Sequence, residues 1–98
     1  MSELSIRPNR RTKTFLKRLL NKQNQRCYYC QVMIFKKPVV ISGKRQQATI
    51  DHYVPRSKGG PDIPSNFVAA CWPCNQRKDN IMPEDFIKMI QEEKADGC

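Results

Sequence analysis

Residues 51–80 read DHYVPRSKGGPDIPSNFVAACWPCNQRKDN, and they follow a shorter stretch, RCYYC, at residues 26–30. Together the two stretches hold four of the five cysteines and the single histidine of the 98-residue chain. Cys27 and Cys30 are separated by two residues, as are Cys71 and Cys74, and forty residues lie between the pairs. Each pair can present two sulfurs to one ion from a single tight turn. Four thiolates around a tetrahedral ion suit structural Zn2+, with no ligand position left for water. An iron centre is the less favoured alternative, because nothing else in the chain has redox character. A thioredoxin-like redox site fits less well still, since two CxxC pairs coexist outside an extended α/β pattern. Cys98 has no partner in this scheme.

A chain of this length has room for one hydrophobic core. Hydrophobic residues make up 39% and charged residues 28%, so burial alone gives a thin core and a metal staple is physically welcome. Lys and Arg number 18 against 9 Asp and Glu, a formal charge of +9 whose sign survives conversion of four thiols to zinc-bound thiolates. That surplus favours a polyanionic partner and salt-sensitive binding, without separating DNA from RNA or an anionic membrane. No run of about 20 apolar residues is present to span a bilayer, and the basic start lacks a secretory signal's apolar stretch. An intracellular location is expected, and disulfides are correspondingly disfavoured.

Outward from the quoted stretches, residues 1–9 lack periodicity and read as a flexible arm, leaving 10–98 as a single domain with its motif core at 27–80. From Arg10 to about Gln23, the apolar residues Phe15, Leu16, Leu19 and Leu20 recur at helical spacing on an otherwise basic helix. Residues 32–41 are rich in β-branched and aromatic types, Ser42 and Gly43 mark a turn, and 47–51 suggest a returning strand, with Pro38 confining the first arm to an edge or bulge. Three prolines and the Gly59–Gly60 pair make 54–64 a loop. A short apolar strand at 67–70 enters Cys71. A short helix follows from Asn75 to about Asn80, then a second from Pro83 to Lys94 with Phe86, Ile87, Met89 and Ile90 facing the core.

With both cysteine pairs in register with Asp51, His52, Asn66 and Asn75, the sequence closely resembles the zinc-stabilised branch of the HNH endonuclease family, over approximately residues 10 to 83. The resemblance implies a small α+β, ββα-metal fold with flanking helices. Its hairpin would join the strand ending at Asp51 and His52 to the strand near 67–70, and its helix would begin around Asn75 and carry Lys78. His52 matches the family's general base, which takes a proton from the water that attacks a scissile phosphate. Asp51 matches a ligand of the catalytic divalent ion, and Asn75 stands where many members have the final histidine, a position at which asparagine also occurs, so that it would be the second protein ligand through its side-chain oxygen. Asn66 matches the middle asparagine, which orders the loop and helps to orient the histidine.

Chemistry supports these implied roles. Neutral imidazole accepts protons near physiological pH, and the oxygens of Asp51 and Asn75 suit Mg2+ or Mn2+, with Ni2+ a further candidate. Arg56, Lys58, Arg77 and Lys78 are the expected phosphate contacts. Tyr28, Tyr29 and Trp72 are expected to pack around the zinc loops. DNA as partner follows from the resemblance, as does a phage or mobile-element protein in the cytoplasm of a bacterial host, acting as a homodimer or within a larger assembly. A noncatalytic zinc module that binds nucleic acid or an assembly partner stays open beside this reading, and so does an RNA-binding zinc protein.

Overall fold

A computed structural model describes residues 10–97, with side chains described from 13 to 93. The expected arm at 1–9 and Cys98 lie outside the described residues. At the centre is an antiparallel hairpin of β3 (Ala48–His52) and β4 (Phe67–Cys71), registered from Ala48 opposite Cys71 to His52 opposite Phe67. Three helices flank it: α1 (Arg10–Lys22), α2 (Trp72–Lys78) and α3 (Pro83–Gly97). A minor hairpin, β1 (Val40–Ile41) with β2 (Lys44–Arg45), stands before β3. None of the described helices is long and apolar enough to cross a membrane.

The apolar stripe of α1 does what its spacing implies. Leu20 joins the core with Leu16 and Leu19 beside it, against Cys27, Tyr29, Ile34, Ala69, Ala70, Phe86 and Ile90. The helix ends in residues with left-handed backbone, Asn24 (φ 55°) and Gln25 (φ 60°), while Gln25 N–H returns to Leu20 O (2.7 Å). That reversal delivers Gln23 to the outer edge of β4. Its amide accepts from Ala69 N–H (2.9 Å) and donates to Ala69 O (2.9 Å), imitating a neighbouring strand. Tyr28 N–H also donates to Ala69 O (2.9 Å). The edge is thereby occupied at Ala69.

Three local expectations change. The turn at Ser42 (φ 52°) and Gly43 (φ 78°) is present, but its arms are two residues long and β3 pairs with β4 rather than returning along 32–41. Pro38 has no N–H to extend a ladder, and the earlier segment meets the start of β3 through a parallel bridge between Phe35 and Gln47, with Ala48 N–H donating to Phe35 O (2.7 Å). Second, α2 begins at Trp72 rather than Asn75. Pro73 suits a first helical turn, and the Cys71 sulfur caps it by accepting from Cys74 N–H (3.4 Å). Third, α3 runs to Gly97, and Phe86 and Ile90 are buried while Met89 is exposed. The core beneath α3 is too narrow to cover its flank.

Candidate active site and metal centre

The sulfurs of Cys27, Cys30, Cys71 and Cys74 all lie within 4.8 Å of one another. Cys30 and Cys71 sulfurs are 3.7 Å apart. A tetrahedron with metal–sulfur bonds of about 2.3 Å has edges of about 3.8 Å, so the donor set fits one zinc ion. Electrostatics lead to the same conclusion. Hydrogen bonding to Cys27, then to Cys71 and Cys74, holds Cys30 well below the ordinary thiol range. Contact with Cys27 and then Cys30 pushes Cys71 and Cys74 well above it. Cys27 is lowered as well, to about 7, so two thiolates are stabilised by their neighbours and the other two are resisted. A dication at the centre removes that resistance and favours all four. The cluster is therefore positioned to chelate a metal and suits structural zinc.

The aromatic residues of the knuckles pack, as expected. Tyr29 is buried with its ring edge-on to Phe86 (5.2 Å between centroids) and Tyr28 (5.3 Å). Trp72 carries the Arg45 guanidinium over its ring at 4.6 Å. Tyr29 also leaves the knuckle chemically: its hydroxyl donates to Asp51 Oδ2 at 2.5 Å.

Asp51, His52, Asn66 and Asn75 are all buried, at 2%, 4%, 7% and 2% exposure, which is unusual for polar residues and makes their partners decisive. Asp51 Oδ2 receives a second contact from the Lys78 ammonium at 3.2 Å. Burial pushes its carboxyl above the ordinary range, opposed first by the Tyr29 hydroxyl and then by Lys78. Both contacts fall on one oxygen, so neither engages Oδ1. Asn75, one helical turn before Lys78, donates through Nδ2 to Thr49 Oγ1 (2.9 Å). Asp51 and Asn75 thus belong to one seam between β3 and α2.

His52 closes the end of β3. Its Nε2–H donates to Asp62 Oδ1 (2.5 Å), its ring stands edge-on to Phe67 (5.2 Å), and Nδ1 is buried with no hydrogen-bond partner among the described residues. An unpartnered buried polar atom costs about 1–3 kcal/mol, and such a cost is characteristic of a group kept for chemistry. The bond from His52 holds the Asp62 carboxyl below its ordinary range, with Arg56 assisting. Asp62 was not foreseen from the sequence, where an acid in a Pro- and Gly-rich loop carries no distinguishing signal.

Asn66 makes no side-chain hydrogen bond to His52. Its Oδ1 accepts from Val54 N–H (2.9 Å), and its Nδ2 donates to Val54 O (3.0 Å) and Pro61 O (3.1 Å). The amide staples the two ends of the 54–61 loop. Gly60 makes the same closure sterically possible, because a Cβ there would meet Val54 O at 1.7 Å.

Of the expected phosphate contacts, Arg56 and Lys58 are exposed on the loop, with Arg56 3.8 Å from Asp62. Arg77 is exposed and paired with Glu93 of α3. Lys78 is the correction. It has no exposed surface, and its ammonium donates to His52 O (2.9 Å) and pairs with Asp51. A phosphate on the surface is out of its reach; Lys78 is an internal counter-charge.

The model of the family described as HNH endonuclease matches residues 27–80, more than half of the chain. No curated protein matches the chain. The matched span takes in both cysteine pairs, the β3–β4 hairpin and α2, so the chain belongs to the HNH endonuclease family and, by its four-cysteine cluster, to the zinc-stabilised branch.

Proposed function

We propose that the protein is a metal-dependent DNA endonuclease that hydrolyses one phosphodiester bond per site, with His52 as general base. The observation that carries this reading is the buried, unpartnered Nδ1 of His52, next in sequence to a buried acid whose second carboxylate oxygen is not engaged by Tyr29 or Lys78. A carboxylate can only accept, so Nε2 carries the proton shared with Asp62, and in the neutral ring Nδ1 is then the atom that accepts a proton. It takes that proton from water as the water oxygen bonds to phosphorus, and the bond to the 3′-oxygen breaks, that oxygen taking up a proton from solvent water to leave as a hydroxyl. Asp51 and the amide oxygen of Asn75 are hard donors suited to one Mg2+ or Mn2+ ion, with Ni2+ a further candidate. When bound, that ion supplies charge stabilisation to the phosphate oxygens and the departing 3′-oxygen. Lys78 and Tyr29 hold the Asp51 carboxylate in place from the protein side.

A formal charge of +9 supports a polyanionic substrate, and Arg56, Lys58 and Arg77 are exposed cations on the loop and helix that carry this chemistry. One site cuts one strand, so a nick is the product of a single encounter, and two copies on facing strands make a break. The test is zinc-loaded protein on supercoiled plasmid with chelator, Mg2+, Mn2+ or Ni2+, alongside His52→Ala. Metal-dependent conversion to nicked or linear DNA is expected, slowed by about 10²–10⁴-fold in the variant, with zinc content unchanged. Equal rates would remove His52 from the mechanism. Intact plasmid under every condition would favour the noncatalytic zinc module.

A further inference from the structure

We infer that Asp62 is the positioning residue of His52, and that Asn66 acts on the histidine through it. The inference rests on the nuclease reading above and deepens it. Asn66 is joined by side-chain hydrogen bonds to Val54 and to the carbonyl of Pro61, not to the imidazole. Gly60 N–H adds a bond to Pro55 O (2.9 Å), and its missing Cβ lets the chain pass against Val54. The residue delivered by this clamp is Asp62, directly after Pro61. Its Oδ1 meets His52 Nε2 at 2.5 Å while Phe67 stands edge-on to the ring. The ring has Asp62 at one nitrogen and Phe67 against it, so Nδ1 is the nitrogen left for the reaction. A carboxylate acceptor also selects the tautomer, because an ionised acid can only accept and Nε2 must then carry the proton.

Asp62 is otherwise badly placed for a protein that binds phosphate. Its side chain is 59% exposed, it sits on the loop that carries Arg56 and Lys58, and it lies 3.8 Å from the Arg56 guanidinium, whose charge it partly cancels. An acid here weakens attraction for DNA. Orientation of His52 is the function that its position does serve. The two effects have opposite signs, which makes them separable.

The experiment compares wild type, Asp62→Ala, Asp62→Asn and His52→Ala, all zinc-loaded. Cleavage of a short labelled duplex is measured at saturating protein, and DNA affinity is measured by anisotropy in chelator. Asp62→Ala is expected to lose about 10²-fold in the saturating rate, the scale of a misplaced catalytic group, while binding DNA about two- to fivefold more tightly at low salt. Asp62→Asn keeps an oxygen acceptor and is expected between the two in rate. His52 is the only histidine, so its ring nitrogens can be read by ¹⁵N NMR in mildly alkaline buffer without ambiguity. The Nε2–H form should dominate in wild type and give way to a mixture in Asp62→Ala. An unchanged saturating rate, an unchanged tautomer, or a rate and affinity that fall together overturns the assignment. If Asp62→Ala loses its zinc, Asp62→Asn carries the same comparison. If wild type cleaves and Asp62→Ala cleaves equally, only the positioning role fails; if wild type and His52→Ala are both inert, the nuclease reading fails and this role with it.

Discussion

The two ends of the β3–β4 hairpin solve opposite problems. At the end where Ala48 faces Cys71, the chain brings together four sulfurs, three of them buried, and the set is complete: every ligand a tetrahedral ion needs comes from the protein. At the other end, some four residues along the strand, His52 faces Phe67 and the chain buries an acid, an imidazole, two amides and a lysine around an acceptor that nothing in the described chain satisfies. The first end is a closed donor set that, with zinc bound, would contribute folding free energy. The second holds groups whose burial works against folding and whose arrangement makes sense around a substrate. A metal staple at the first end would offset the burial cost at the second in a small, charge-rich domain.

That contrast breaks most violently at the zinc end. Cys74→Ala leaves three sulfurs for a tetrahedral ion, while the backbone N–H of residue 74 that meets the Cys71 sulfur at the start of α2 is kept. Structural zinc sites contribute about 10–16 kcal/mol in small modules, as much as or more than the roughly 5–15 kcal/mol net stability of a whole domain. The expected outcome is loss of stoichiometric zinc and of most far-UV helicity, reproduced in wild type by a chelator. Full helicity after complete metal removal would mean that the hydrophobic core alone carries the fold, and the division between the two ends would not hold.

A smaller effect is expected from Lys78→Met, at the other end. The variant keeps the volume of the stem but leaves Asp51 buried without its counter-charge. Removing one partner of a buried ion pair costs about 3–5 kcal/mol, which for a domain of this size lowers Tm by at least about 12 °C. Zinc stoichiometry should stay at that of wild type. Adding Asp51→Asn to Lys78→Met removes the stranded charge and should recover part of the loss in calorimetry. A Lys78→Met protein as stable as wild type would show that the ammonium is not the compensating group.

Lys78 also marks where reading the sequence stops. The four cysteines were legible because CxxC spacing is itself a geometric statement, and β3, β4 and α2 were legible because their order is carried by the same motif. A lysine three residues after Asn75 in a chain of charge +9 reads as a phosphate contact, and only the packing of Tyr29 and β3 against α2 reveals that it points inward. Asp62 is hidden for a related reason. Its neighbour in space is ten residues away, brought close by an Asn66 clamp and a Gly60 approach that leave no periodicity to detect. The two-residue arms of β1 and β2 and the start of α2 depend on single residues, Pro38 and Pro73, whose effect is a boundary rather than a pattern.

The smallest expected effect asks how far the two ends are independent. Tyr29 belongs to the first cysteine knuckle by sequence and to the polar end by its hydroxyl, which donates to Asp51 Oδ2. Burial and then the Asp51 charge push its phenol well above the ordinary range, so it remains a donor at any working pH. Tyr29→Phe keeps the ring against Phe86 and Tyr28 and deletes that one bond. A hydrogen bond to a charged group contributes about 1.5–3 kcal/mol, so Tm should fall by at least about 6 °C with zinc content intact. With the carboxylate less firmly held, the divalent-ion concentration for half-maximal cleavage should rise about three- to tenfold, read by titrating Mg2+ or Mn2+ in the plasmid assay. A Tyr29→Phe protein that loses stability but titrates like wild type would confine the knuckle to scaffolding. A shifted titration with unchanged zinc would mean that the metal-binding loop also sets the geometry of the acid it never shares a metal with.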